Sequence, residues 1–138
     1  MPERRPPSTV SATPADAIAF AGKAHEYLDA ARDAIARDNY VAAVGNAVHA
    51  TIAASDAVAS LRLKSRWKGD HPGAADHVAS AGVEGQVCAK SLRKVLPLKH
   101  QAEYDPAPIP ASKAQAALRA ARQAVESADL ALARGKQA

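Results

Sequence analysis

The chain of 138 residues is small, basic and poor in aromatic side chains: 48% of its residues are hydrophobic, 4% are aromatic, and the formal net charge is +4. This length suits one soluble domain, and the single Cys excludes both a disulfide framework and an all-Cys zinc site. No window reaches the roughly 18 uninterrupted apolar residues of a membrane span, and the first residues lack the apolar core of a signal peptide. We therefore expect a cytoplasmic protein that does not associate with a membrane.

The start of the chain predicts a tail followed by a helix. Residues 1–13 carry several Pro residues and no periodic apolar pattern, so we expect a disordered Pro-rich tail there and a folded domain over residues 14–135. Thr13 as N-cap, Pro14 at the first helical position and Asp16 near the positive end of the dipole predict a helix that runs to about residue 37. The residues expected on its buried stripe are Ile18, Ala21, Leu28, Ala31 and Ile35.

The remaining helices are predicted from apolar periodicity and from capping residues. They are expected over residues 40–63, over 71–82, over 83–104 with a kink or brief break at Pro97, and from Pro110 or Ser112 to Gly135. A linker over residues 64–70 and a stiff connector over 105–110 separate them.

No strand pattern competes with the helical periodicity. About a quarter of the residues are Ala, and such small side chains let helix axes approach closely. The sequence therefore predicts an all-α fold, an up-and-down bundle of four to five helices. Because large side chains are few, we expect a homodimer that adds buried surface.

Two segments resemble the HEPN superfamily, named for higher eukaryotes and prokaryotes nucleotide-binding. Residues 39–50 (NYVAAVGNAVHA), followed by Ile52, Ala53 and Asp56, are similar to the second helix of short prokaryotic HEPN proteins. Residues 98–105 (LKHQAEYD) are similar to the segment that joins their last two long helices. The resemblance implies a dimeric bundle that acts on RNA or nucleotides and is often encoded beside a nucleotidyltransferase or an antitoxin.

Active members of this superfamily cut RNA without a metal or cofactor, using an Arg, four to six intervening residues and a His. A His can exchange a proton with the attacking 2′-hydroxyl or the leaving oxygen, while Arg holds the phosphate. Two pairs in this chain have that spacing, Arg66 with His71 and Arg93 with His100. The resemblance thus implies a metal-independent endoribonuclease of toxin type, with Arg66 and His71 as its first candidate catalytic pair.

The second pair is the alternative assignment. Arg93 and His100 have the family's spacing, with Tyr104 as the aromatic residue that follows the His. In active relatives the motif lies just before the final helix, which here corresponds to the region of Lys99, His100 and Tyr104. At the matching positions Lys99 replaces the Arg, and Glu103 lies near the place of the His. Since Lys lacks the bidentate fork of Arg and a carboxylate repels phosphate, the alternative function is a non-catalytic module that binds a nucleotidyltransferase or an antitoxin.

Basic and aromatic residues surround the first pair. Trp67 is of the type that stacks on a nucleic-acid base, and His71 begins a helix, where free backbone N–H groups attract anions. The residues expected to contact nucleic acid are Lys64, Trp67, Lys68 and Lys99. The alternative for residues 64–70 is a solvated loop whose Trp packs against the end of the bundle.

The other polar residues favour structural roles. His49 and Asp56 lie seven positions apart on one helix face, which favours a buried polar pair over catalysis. His25 is expected to be a half-buried packing residue. His71 and His77 are six positions apart and fall on different faces of a helix, so the sequence predicts no metal site. No glycine-rich phosphate loop is present, and we expect no cofactor.

Overall fold

The fold consists of five helices and two short strands, and the computed structural model describes residues 8–135. In chain order the elements are β1 (Thr9–Ser11), α1 (Pro14–Ala36), α2 (Tyr40–Leu63), β2 (Ser65–Trp67), α3 (His71–Ala79), α4 (Gly82–Tyr104) and α5 (Ala111–Arg134). The predicted all-α helical bundle is confirmed by this content of elements. The predicted bounds of α1, α2 and α5 agree closely with the structure, whereas α3 ends earlier than expected.

The start of α1 follows directly from its sequence. The Thr13 hydroxyl accepts a hydrogen bond from the Asp16 backbone N–H at 3.1 Å, and the Asp16 carboxylate accepts one from the Thr13 N–H at 2.8 Å. This reciprocal capping box satisfies two N–H groups that the start of a helix leaves unpaired. The predicted roles of Thr13 and of Pro14 are confirmed.

Helix α4 continues through Pro97, where the sequence predicted a kink or a brief break. The predicted break is therefore wrong. Pro97 removes one helical hydrogen bond, the one to the carbonyl of Arg93. Both residues are exposed, so water can satisfy that carbonyl and the helix continues.

The two strands were not expected from the sequence. They pair antiparallel, with Thr9 opposite Trp67, and a hydrogen bond of 2.8 Å from the Lys68 N–H to the Ser8 carbonyl extends the pairing. The expectation that the fold has no strand is wrong, as is the expectation of disorder over residues 8–13. The first seven residues of the predicted tail lie outside the described residues. Strands of three residues are too short to show a period in the sequence, so only their long-range pairing reveals them.

The core is made mostly of small side chains. Helix α2 packs against α1, α4 and α5, and its buried residues cover most of its circumference. The face that carries Gly45, His49, Ile52 and Asp56 is less buried. The largest fully buried apolar side chains are Val44, Val48, Val58, Val78, Leu92, Val95 and Val125. The prediction that Ile18 belongs to the buried stripe of α1 is wrong, since it is 65% exposed and α1 turns Ala17, Ala21 and Ala24 inward.

Within the described residues, α2 is also the one helix that is long and apolar enough to cross a membrane by length and composition alone. Inside the bundle, 61% of its apolar window is buried, as in the core helix of a soluble protein. The apolar character of α2 is therefore accounted for by its contacts with the surrounding helices.

Glu84 is a buried charge at the junction of α2, α4 and α5. Its carboxylate accepts hydrogen bonds from Nη1 of Arg62 at 2.6 Å and from Nη1 of Arg134 at 3.2 Å. The bond from Arg62, whose side chain is only 5% exposed, is the main cause that lowers the pKa of Glu84 to about 2. Removing one partner of such a pair is costly because the other charge stays buried without compensation.

We predict that Glu84→Gln lowers the free energy of unfolding by about 3–5 kcal/mol at pH 7, because Arg62 loses its buried counter-charge. The lowered pKa sets the sign of the pH dependence. The contribution of Glu84 is fully present above its ordinary value of 4.5 and is lost as the pH falls toward 2. Urea unfolding should therefore show that the two proteins converge in stability over that range.

The matched control is Asp76→Asn, which breaks an exposed ion pair with Arg93. It should change the free energy of unfolding by at most about 1 kcal/mol. An equal loss in both variants would contradict the role given to Glu84.

Candidate functional site

A small, partly open cavity lies where β2, α3 and α4 meet the side of α2, and we call it the corner cavity. Its volume is about 130 Å³. The apolar part of its lining comes from Ile52, Ala59, Trp67, Ala74, Val78, Leu92 and Leu96. The remaining lining residues are Ser55, Asp56, Lys68, Gly69, His71 and His77. Lys68, Gly69 and His71 are exposed and mark the mouth of the corner cavity.

Asp56 is the most unusual group in this cavity. It lies on α2 among small and apolar neighbours, and within the described residues no hydrogen bond contributes to its pKa. Burial raises the pKa of Asp56 to about 7, against the opposing effect of the Arg66 charge. A carboxyl group in this state can release or take up a proton at neutral pH and has its hydrogen-bonding capacity unused.

The pleat of β2 determines which of its side chains reach the site, since neighbours along a strand point to opposite faces. Ser65 and Trp67 face α3: the Ser65 Oγ lies 3.3 Å from Nε2 of His77, and the rings of Trp67 and His77 are 5.7 Å apart between centroids. Arg66 faces the other way, with its guanidinium carbon 5.5 Å from the centroid of the Phe20 ring.

Trp67 is held in place by the loop that precedes α3. Its Nε1 donates a hydrogen bond to the Asp70 carbonyl at 2.6 Å. Two glycines make room for its ring, because a Cβ added to Gly69 or Gly73 would come within 2.8 Å or 2.1 Å of Cζ2. This agrees with the alternative interpretation in which Trp67 packs against the end of the bundle, although its ring also lines the corner cavity.

The anion site expected at the start of α3 is not formed, so that expectation is wrong. Asp70 is the N-cap, and its carboxylate accepts a hydrogen bond from the Gly73 N–H at 3.1 Å. Pro72, also in the first turn, has no N–H. The helix start therefore offers few free donors and already carries a negative charge.

The first predicted catalytic pair is separated. His71 lines the corner cavity, whereas Arg66 lies over Phe20 on α1 and is not among the lining residues. Arg66 acts on the site only through its charge, which lowers the pKa of Asp56.

The alternative pair is also separated, by two turns of α4. Arg93 forms an ion pair with Asp76 of α3, with Nη2 and Oδ1 3.1 Å apart. The ring of His100 lies against that of Tyr104, with centroids 5.1 Å apart.

One residue from each predicted pair lines a second surface feature, which we call the α3–α4 groove. His71 and Arg93 line this groove, whose volume is about 480 Å³. The groove adjoins the corner cavity, because His71 and Leu96 line both. The structure therefore brings His71 near a different Arg from the one that the sequence spacing suggested.

The lysines predicted to contact nucleic acid lie at different places. Lys68 is at the mouth of the corner cavity. Lys64 is the left-handed residue that ends α2, and its side chain is exposed. Lys99 lies on α4, with its Nζ 3.4 Å from the carboxylate of Glu103. Of the three, only Lys68 lines the corner cavity.

The predicted polar pair of His49 and Asp56 does not form. His49 is exposed and stacks on Tyr27 with ring centroids 5.1 Å apart. His25, expected to be half-buried, is exposed and bonds to Asp129 at 2.8 Å. The sequence did contain a signal for Asp56, since it is the only Asp, Glu, Lys or Arg between residues 39 and 61.

The corner cavity is suited to binding by hydrogen bonds and ring packing. It combines one carboxyl group, two imidazoles and an indole around a space of limited size. Across residues 8–135, no group of three or more His, Cys, Asp or Glu side chains is arranged to hold a metal ion.

Neither the protein-family models nor the curated protein sequences give a match to this chain. The fold class therefore rests on the structure itself. Any function rests on the geometry of the corner cavity together with the resemblance seen in the sequence.

We predict that Gly73→Ala displaces the Trp67 ring, because the new Cβ would overlap Cζ2. The emission of Trp67, the single Trp of the chain, should shift to longer wavelength, and the free energy of unfolding should fall by about 1–3 kcal/mol. The control is Gly22→Ala in α1, where an added Cβ meets no atom within 4 Å. That substitution should stabilise by about 0.5–1 kcal/mol and leave the emission unchanged.

We predict a pH-dependent gain in stability for Asp56→Asn. The raised pKa of Asp56 means that folding is most favourable with the proton bound, so the wild-type protein loses stability as the pH rises from 3.8 through about 7. At pH 8 the variant should be more stable than the wild type by up to about 4 kcal/mol, and the difference should vanish near pH 4.

The groups that face Asp56 are Arg66 and Lys68 from the β2 side and His71 and His77 from α3, while α4 contributes apolar side chains. Because the two His residues are present in both proteins, the difference in chemical unfolding between them isolates Asp56. Asp33→Asn, which changes an exposed carboxylate on α1, should alter the free energy of unfolding by less than about 0.5 kcal/mol. A pH-independent difference for Asp56→Asn would refute the prediction.

Proposed function

We propose that this protein is a cytoplasmic HEPN-like bundle that binds RNA or a nucleotide at the corner cavity. The observation that carries the proposal is the mouth, where Lys68 and His71 flank the opening of a cavity whose wall includes Trp67. Positive side chains attract phosphate, and an aromatic wall suits a base. The resemblance to the HEPN superfamily independently favours RNA or a nucleotide as the ligand.

The geometry favours binding without cleavage. Catalysis by the family's chemistry needs Arg and His at one phosphate. The pleat of β2 directs Arg66 toward Phe20, whereas His71 lines the corner cavity. In the second pair, Arg93 is engaged by Asp76 and the ring of His100 lies against Tyr104. These contacts support binding rather than cleavage.

A metal-independent endoribonuclease is the second candidate, and one observation favours it. His71 and Arg93 line the same α3–α4 groove. The ion pair that engages Arg93 is exposed, with Asp76 80% accessible, so a phosphate could displace it at little cost. In that case His71 would exchange the proton and Arg93 would hold the phosphate.

The resemblance also supports proposals about partners. We propose that the protein forms a homodimer and that its protein partner is a nucleotidyltransferase or an antitoxin.

We predict that the protein binds a short single-stranded RNA in EDTA and leaves it intact. Lys68→Gln and His71→Gln should each weaken binding about threefold to tenfold at moderate salt, and Lys68→Gln should reduce the salt slope by about one unit. Fluorescence anisotropy gives the affinities, and a denaturing gel of the same samples shows whether the RNA is cut.

The matched control is Arg122→Gln, which removes an exposed positive charge from α5, a helix that packs on α1, α2 and α4. It should bind RNA as the wild type does. Equal losses in all three variants would point to nonspecific charge and contradict the corner cavity as the site. Cleavage that His71→Ala abolishes would replace the binding proposal with the endoribonuclease.

A further inference from the structure

We infer that the corner cavity receives the six-membered ring of a guanine nucleotide, with Asp56 accepting hydrogen bonds from its two adjacent N–H groups. This inference rests on the proposed function and names the base that the site selects. The argument uses the size of the cavity, the hydrogen-bonding chemistry of Asp56 and the charge at the mouth.

The size of the cavity limits what can enter. An apolar protein cavity of about 150 Å³ holds one benzene molecule, and the corner cavity has a volume of about 130 Å³. A single six-membered ring is therefore matched in size to this space. Because the cavity is partly open, the five-membered ring and the sugar of a purine nucleotide would lie at its mouth.

The apolar lining suits the faces of an aromatic ring. Trp67 is part of this lining, and Leu92 and Leu96 of α4 contribute further apolar surface. A ring stacked on an indole gains roughly 1–3 kcal/mol in single-strand recognition. These side chains would cover the two faces of the ring. Only the hydrogen-bond donors and acceptors at the edge of the ring then need polar partners.

Asp56 determines which ring edge is accepted. A carboxylate only accepts hydrogen bonds, and it pairs best with two parallel N–H donors, as with a guanidinium group. Hydrogen bonds from two N–H donors favour the ionised form of a carboxyl group, and the charge of Arg66 acts on Asp56 in the same direction. Among the common bases only guanine presents two adjacent donors, N1–H and the N2 amino group, whereas adenine and cytosine place a donor beside an acceptor.

The mouth of the corner cavity would bind the sugar and the phosphate of the nucleotide. With the six-membered ring inside, the sugar and phosphate lie toward solvent, where Lys68 and His71 are exposed. Both side chains donate hydrogen bonds to phosphate when charged. A nucleotide thus satisfies the carboxylate inside and the cations outside at the same time.

The test compares guanosine with inosine, which lacks the N2 amino group but keeps the same ring. A short single-stranded RNA of A and U with one central guanosine should bind about tenfold more tightly than the same RNA with inosine. Asp56→Asn, and Asp56→Leu, which fills the site, should weaken the guanosine RNA and remove the discrimination. Asp33→Asn should leave both affinities unchanged, and thermal melts confirm that each variant is folded.

A second arm distinguishes RNA from a free nucleotide as the source of the guanine. Guanosine and inosine 5′-monophosphate are titrated into the protein by calorimetry. Binding of the guanosine monophosphate that requires Asp56, without RNA binding, would uphold the assignment of the corner cavity and overturn RNA as the ligand.

The remaining outcomes separate the inference from the proposed function. RNA binding that depends on Lys68 but not on Asp56 or on the guanosine would overturn guanine recognition and leave the proposed function standing. Tighter binding of a cytosine-containing RNA would show that Asp56 acts in its protonated form and would also overturn the inference. Failure of both ligands to bind would overturn the inference and the proposed function together.

Discussion

Helix α2 packs against α1, α4 and α5, and its small side chains allow the four axes to approach closely. A polar side chain that leaves the buried part of such a helix cannot reach solvent freely, so it needs a partner or a cavity. Arg62 meets a partner, Glu84, and the pair joins α2 to α4. Asp56 faces the corner cavity. The packing of α2 thereby determines both the buried ion pair and the candidate site.

The pKa values of Glu84 and Asp56 shift in opposite directions because the surroundings of the two carboxyl groups differ. Glu84 receives a hydrogen bond from Arg62 that outweighs its burial, so its pKa falls to about 2. Asp56 has only the charge of Arg66 to oppose burial, with no hydrogen bond from it, and its pKa rises to about 7. β2 turns the guanidinium of Arg66 toward Phe20. The pairing of β1 with β2 fixes this pleat, so the short sheet also influences the protonation of Asp56.

Local signals account for what the sequence could predict. Thr13 is an N-cap and Gly135 a C-cap, and both residue types favour these positions in any helix. The start of α1 and the end of α5 could therefore be predicted from the sequence. The three-residue strands depend on a contact between distant segments and left no period to detect. For the candidate site, the sequence singles out His71, which lines the corner cavity, but sequence spacing cannot show that the pleat of β2 turns Arg66 away from it. The sequence predicts a buried polar pair of Asp56 with His49, because helical spacing takes no account of the other elements that pack around the helix.

The position of Asp56 also bears on why the site exists. An ionised Asp56 in the wall of the corner cavity lowers the free energy of unfolding. An apolar residue of similar size at this position would fill the same space without that loss of stability. The chain elsewhere fills its core with Ala and Val and pairs its buried charge, Glu84, with Arg62. A cost confined to one cavity, beside the exposed Lys68 and His71, is typical of a site where stability and function conflict. A ligand edge that donates hydrogen bonds to Asp56 would remove the conflict, and this makes the cavity, its carboxyl group and its mouth one candidate binding site.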